Sequence, residues 1–253
     1  MKPTNLEDPL ADAPAELLAF LDQAASLQSK PLGIAVLGRD ACREYSRAVR
    51  GTAWGEALGL VALDDANNSM PHCYVLRGPA AGMVLQFNRV DRQSLRYPSL
   101  AAFASALRAA LAGGTHIEDL APATIAPSAR QAEVVARLLG AMAPRADQEA
   151  YADAAAAVEL LLPQLNPDNL PVLQALASDT DFYIREYVAL FLKRHACPAY
   201  EALASRLAED GHGQVARPAA EAAKAIRRML GEARRDAIAR ARAGAVDVQV
   251  RRT

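Results

Sequence analysis

Between Leu58 and Leu111 the hydrophobic spacing changes its period, and the rest of the chain can be read around that change. Leu58, Leu60 and Ala62 alternate with Gly59, Val61 and Leu63, and Met83, Leu85 and Phe87 alternate with Val84, Gln86 and Asn88. Such alternation predicts antiparallel strands that each show one face to a core. His72 to Arg77 predicts a third strand between them, and Gly78-Pro79 with Gly82 breaks the chain where a hairpin must turn. After Pro98 the period lengthens. Ser99 precedes Leu100, Phe103, Leu107 and Leu111, so a capping hydroxyl opens a helix whose apolar stripe can lie on the sheet.

Upstream, residues 1–14 show no periodicity and read as a loose arm, whereas Leu17, Leu18, Phe20, Leu21 and Ala24 predict a helix over Ala15 to Leu27. Ile34 to Leu37, between Gly33 and Gly38, predicts a short strand. Asp40 is placed to cap a helix with Cys42, Tyr45 and Val49 on one side, closed by Gly51 and Gly55. Downstream, Gly113-Gly114 stops the Ser99 helix and a Pro-marked stretch over 121–127 reads as a linker. Beyond it no convincing strand signal appears until the last few residues.

The second half repeats. Placing Leu176 on Leu207 brings Asp179 onto Asp210, Ile184 onto Val215, Val188-Ala189 onto Ala219-Ala220 and Leu192 onto Ala223, a step of 31 residues. A less regular earlier unit spans Ser128 to Leu165. Helix pairs with a short Asp-containing turn and a period of this size predict an α-solenoid. Pro218 fits a first helical turn, where a missing N–H costs little.

Two resemblances follow from these residues. A strand, an Asp-Asn loop, a strand with Cys73-Tyr74, a Gly hairpin, the GMVLQF strand Gly82–Phe87 and the PSLAAFASAL helix Pro98–Leu107 resemble the second half of the SUKH superfamily. The segment Ser178–His195, SDTDFYIREYVALFLKRH, resembles a HEAT repeat, including Ile184-Arg185 after the Asp turn; the next unit has Ala216 where that arginine would stand. The expected fold is therefore α+β: an N-terminal antiparallel sheet with flanking helices, then an all-α helical-repeat, HEAT-like domain. Residues 1–120 form the SUKH-like part, 121–127 the linker, 128–235 the helical part and 236–253 a basic tail.

Composition narrows the function classes. The chain has 253 residues, room for one large or two ordinary domains, and a formal net charge of -1, so as a whole it is not expected to bind nucleic acid. From Lys224 onward nine Lys or Arg stand against three Asp or Glu, which reads as a solvated helix face and tail, or else as a contact for a nucleic-acid or other anionic partner. Cys42, Cys73 and Cys197 are isolated, without a CxxC pair or a secretory apolar segment, so a reduced, cytoplasmic setting is expected. No apolar run is long enough to span a bilayer.

Candidate chemistry is sparse. Asp64, Asp65, Asn67 and Asn68 form the densest polar cluster, without EF-hand spacing or its terminal Glu. They read as a turn rich in Asp and Asn for backbone reasons, and alternatively as a rim for partner contact. His72 and Cys73 are strand neighbours and point to opposite faces, so they cannot act on each other. His116, His195 and His212 show no two-ligand zinc spacing, and GxSxG, P-loop and dinucleotide signatures are missing. No metal or cofactor is expected. Phe182 and Tyr183 lie in the turn before an almost wholly apolar helix, and read as core or as a binding anchor.

The leading expectation is a non-enzymatic protein-binding module, with Asp64, Asp65, Asn67, Asn68, Phe182 and Tyr183 as its contact residues. The SUKH resemblance implies a bacterial immunity protein that binds and neutralises a cognate toxin. An intracellular scaffold or regulatory adaptor without a toxin partner is the alternative, and an enzyme using the Asp64-Asp65 loop is a third reading.

Overall fold

A computed structural model describes residues 8–64, 70–87, 94–120 and 124–250. The fold is mixed α+β with a C-terminal helical region, and its residue contacts divide it into two compact units. One unit holds 1–141 and 145–166; the other holds 142–144 and 167–253.

In the first unit, α1 (Ala15–Asp22) is followed by a turn of 3-10 helix at Ala24–Ser26, so the expected Ala15–Leu27 helix ends early. The two-residue strands β1 (Gln28–Ser29) and β2 (Ile34–Ala35) pair with each other. Helix α2 (Arg39–Arg50) starts after Gly38, with Asp40 inside its first turn rather than at the cap; it buries Cys42, Ser46 and Val49. Gly55 does not close it. Thr52 caps a separate helix, α3 (Ala53–Leu58), by accepting the Gly55 N–H at 3.2 Å. Leu58 is thus helical rather than the start of a strand, and Gly59 ends the helix in the left-handed region at φ +60.

Four strands form an antiparallel meander: β3 (Val61–Ala62), β4 (His72–Tyr74), β5 (Val84–Gln86) and β6 (Ser94–Tyr97). The register sets Ala62 opposite Cys73 and Cys73 opposite Leu85. Gly78 and Gly82 turn the β4–β5 hairpin at φ +81 and +88, values that L side chains rarely adopt. The expectation of one core-facing side per strand is corrected. Leu60, Val61, Ala62 and Leu63 are all fully buried, as are Val84 and Leu85, so both sides of β3 and β5 are covered.

Helix α2 packs on β3, where Ser46 Oγ accepts the Ala62 N–H at 3.0 Å and satisfies a buried backbone donor. Ser99 caps α4 (Leu100–Gly113) through the Ala102 N–H at 3.1 Å, and Gly114 ends it, as expected. Phe103 of α4 is fully buried, in ring contact with Phe20, His72 and Tyr97. Burying one such ring contributes about 1.5–3 kcal/mol.

Helices α5 (Gln131–Gly140) and α6 (Gln148–Leu161) pack in this same unit. Leu160 joins the sheet core, and Arg130 Nη1 donates to the Gly78 carbonyl at 2.8 Å. Division therefore falls after Asn166 and not in the 121–127 stretch, because α5 and α6 finish the core that the sheet begins.

The second unit is two helix pairs: α7 (Leu170–Leu176) with α8 (Phe182–Arg194), and α9 (Glu201–Leu207) with α10 (Gly213–Val250). Leu170 to Glu201 and Phe182 to Gly213 are both steps of 31 residues. Leu173 and Ala204, Ile184 and Val215, Val188 and Ala219, and Leu192 and Ala223 are matched and fully buried. Ala189 and Ala220 break the match, since Ala189 is buried and Ala220 exposed. Pro218 stands beyond the first turn of α10, where it withholds the N–H that the Gln214 carbonyl would accept. The same helix carries the chain unbroken through residue 236, where a tail was expected to begin.

Candidate functional site

Two successive turns of the helical unit meet at one edge. In the first, Asp179 Oδ1 accepts the Asp181 N–H at 2.8 Å, and Asp181 Oδ1 then caps α8 through the Tyr183 N–H at 2.9 Å. One repeat later, Asp210 Oδ1 accepts the His212 N–H at 2.9 Å, the same local bond 31 residues on. Short polar side chains that bond two residues ahead make each turn tight, which fixes where α8 and α10 begin.

Arg185 ties the turns together. Its Nη1 donates to the carbonyls of Asp179 and Thr180 at 2.9 and 3.0 Å. Its Nε and Nη2 reach Asp210 Oδ2 and Oδ1 at 2.7 and 3.2 Å. Both side chains are largely buried, at 16% and 11% relative exposure, so this two-pronged pair is screened far less than a surface pair. The hydrogen bond from Arg185 holds the Asp210 carboxyl below its ordinary value.

On this clamped edge sits a short aromatic step. Phe182 stacks on the His212 ring, with centroids 4.5 Å apart and planes 4° apart, and meets the Tyr183 ring at 4.1 Å. Phe182 is half-buried, while Tyr183 is 41% exposed and His212 exposed. The core helix below is not part of the step: Ile184, Val188 and Leu192 are fully buried. The arrangement offers flat apolar rings edged by Asp181 and Thr180, which suits contact with another surface. Sequence reasoning missed His212 and the Arg185–Asp210 pair; the 31-residue step, which sets His212 on Asp181, was the signal that could have found His212.

The other candidate residues behave differently. Asp65, Asn67 and Asn68 lie outside the described residues. Asp64 Oδ1 accepts the His72 N–H and Oδ2 pairs with His72 Nδ1, each at 2.7 Å. His72 is buried against the rings of Phe103 and Tyr97. The carboxylate is therefore turned inward to a structural bond, as half of a His–Asp couple that the sequence pattern did not reveal. Burial pushes the Cys73 thiol well above its ordinary value and that of Cys42 to about 11, so neither is a reactive thiolate. Among the described residues no three His, Cys, Asp or Glu are grouped to hold a metal, and no helix is long and apolar enough to cross a membrane.

No family model, curated protein or solved structure is significantly similar to this chain.

Proposed function

We propose that this chain is a protein-binding module that engages its partner through the Phe182–Tyr183–His212 edge. The single observation behind this is an exposed aromatic step on a rigid, ion-paired scaffold. An exposed tyrosine ordinarily loses conformational freedom on binding, but here Phe182 packing and the Arg185–Asp210 clamp have already fixed its surroundings. With the SUKH-like strand-and-helix pattern of the first unit and the HEAT-like repeat of the second, the reading is a bacterial immunity protein that neutralises a cognate toxin. A scaffold or regulatory adaptor is the second reading, favoured if the gene has no toxin gene beside it.

Co-expression tests this. The chain should protect cells from the toxin encoded by the adjoining gene, and Tyr183→Ala should lose that protection. Binding should weaken by about 2 kcal/mol or more while the melting temperature stays near that of the parent. A Tyr183→Ala protein that melts early would assign the ring to the core, and one that still protects would move the contact elsewhere.

A further inference from the structure

The last helix carries a cationic face that the proposed protein contact does not use. At 100° per residue, Arg217, Lys224, Arg227, Arg228, Arg234 and Arg235 fall within an arc of about 120° of α10 and extend about 27 Å along it. All six are exposed. Val215, Ala219, Ala222, Ala223 and Ile226, all fully buried, take the opposite side, so the cations point away from the packed face. Glu221, Glu232 and Asp236 stand along one flank of the arc rather than within it. Among the described residues only Arg228 of the six has a carboxylate within 4 Å, Glu232 at 3.9 Å.

Between Arg227 and Ala237 no residue of α10 is buried, and in that stretch Leu230 and Gly231 alone are partly covered. The stretch from Arg227 to Ala237 is free to enter a groove.

We propose that this face binds double-stranded DNA through its phosphates, without regard to sequence. Duplex DNA carries one negative charge per about 1.7 Å of axis, so a 27 Å row of cations finds many phosphates in reach. Five of the six are arginines, whose planar fork pairs with phosphate oxygens. A bare helix about 10–12 Å across fits a B-form major groove about 12 Å wide. The deep, narrow major groove of A-form RNA does not admit it. A membrane surface is the poorer match, because between Ile226 and Ala237 the side away from the cations consists of Met229, Leu230, Ala233 and Ala237, with no aromatic to sit at the lipid boundary. No Asn or Gln lies between Arg217 and Arg240 to pair with an adenine edge. A whole-chain charge of -1 conceals the patch because the acids are spread along the rest of the chain.

Fluorescence anisotropy of a labelled mixed-sequence DNA duplex, titrated with the full chain at several salt concentrations, tests this. Log affinity should fall against log salt with a slope of about -4 to -5, the value for four to six neutralised phosphates. Replacing Arg227, Arg228, Arg234 and Arg235 together by Gln should weaken low-salt binding at least ~10-fold and reduce the slope magnitude by about 3 to 4. Arg47→Gln with Arg108→Gln, exposed cations of the first unit, should leave both unchanged. If the fourfold variant melts early, Arg227→Gln with Arg234→Gln carries the same test with a loss of about 2 from the slope. Absence of duplex binding at low salt, a slope unaffected by the α10 changes, or poly-glutamate or anionic vesicles competing as well as duplex would each overturn the proposal.

Discussion

Asp64 shows how one carboxylate can be misread at the residue scale. In the sequence it heads a run of Asp and Asn and reads as a loop rim, yet its two oxygens serve the backbone and ring of His72, eight residues on. Asp64→Ala should leave the His72 N–H without its acceptor and cost about 1–3 kcal/mol, measured by urea denaturation, whereas Asp64→Asn keeps an acceptor and should cost less. Equal losses would show that the charge, and not the acceptor, matters. Asp210 sets a pH dependence. Its folded carboxyl titrates below its unfolded value of about 3.9 because Arg185 bonds the ionised form. The contribution is complete above that unfolded value and disappears as pH falls through the lower folded one. Asp210→Asn should therefore melt earlier near neutrality but lose less than the parent as pH falls below about 4. Parallel melting curves over that range would refute the assignment. Neither pairing was legible in sequence, since Arg185 and Asp210 meet only once α8 and α10 are stacked.

At the scale of elements, long periodic stretches were legible and short ones were not. The Ser99 cap, the α4 stripe and the stop at Gly113-Gly114 appear as read, because a capped helix of this length declares its period over several turns. Strand β6 was missed: Ser94, Leu95, Arg96 and Tyr97 make four residues in which only Tyr97 is buried, too few to establish alternation. The run Leu60 to Leu63 was read as alternating, though an unbroken apolar run is what burial on both sides produces. In the helical unit the 31-residue step placed core positions correctly except at Ala220, where the second pair faces solvent. Leu192, fully buried in α8, should lose about 2–5 kcal/mol on change to Ala, read as a fall in denaturation midpoint. A loss under about 1 kcal/mol would mean that the neighbouring helices close the void.

For the whole molecule, the Pro-marked stretch over 121–127 looks like a boundary because proline ends elements, but proline cannot report what packs afterwards. Leu160 and the Arg130–Gly78 bond place α5 and α6 with the sheet. A fragment ending at residue 166 should unfold cooperatively, and one ending at residue 120 should not, since it exposes the sheet core that Leu160 covers. Calorimetry of the two pieces checks this; a sharp transition in the shorter would restore the earlier boundary. The Arg185 clamp also gives the helical array a direction. Each pair has an acidic turn that can receive an arginine from the pair before it, as Asp210 does, but the position that would supply the next one, 31 residues after Arg185, holds Ala216. A pair grafted after α10 would find no arginine reaching toward it, whereas one inserted ahead of α7 would meet the turn at Asp179. Lengthening this array by duplication thus has an open end and a closed one, and the closed end is sealed by a single alanine.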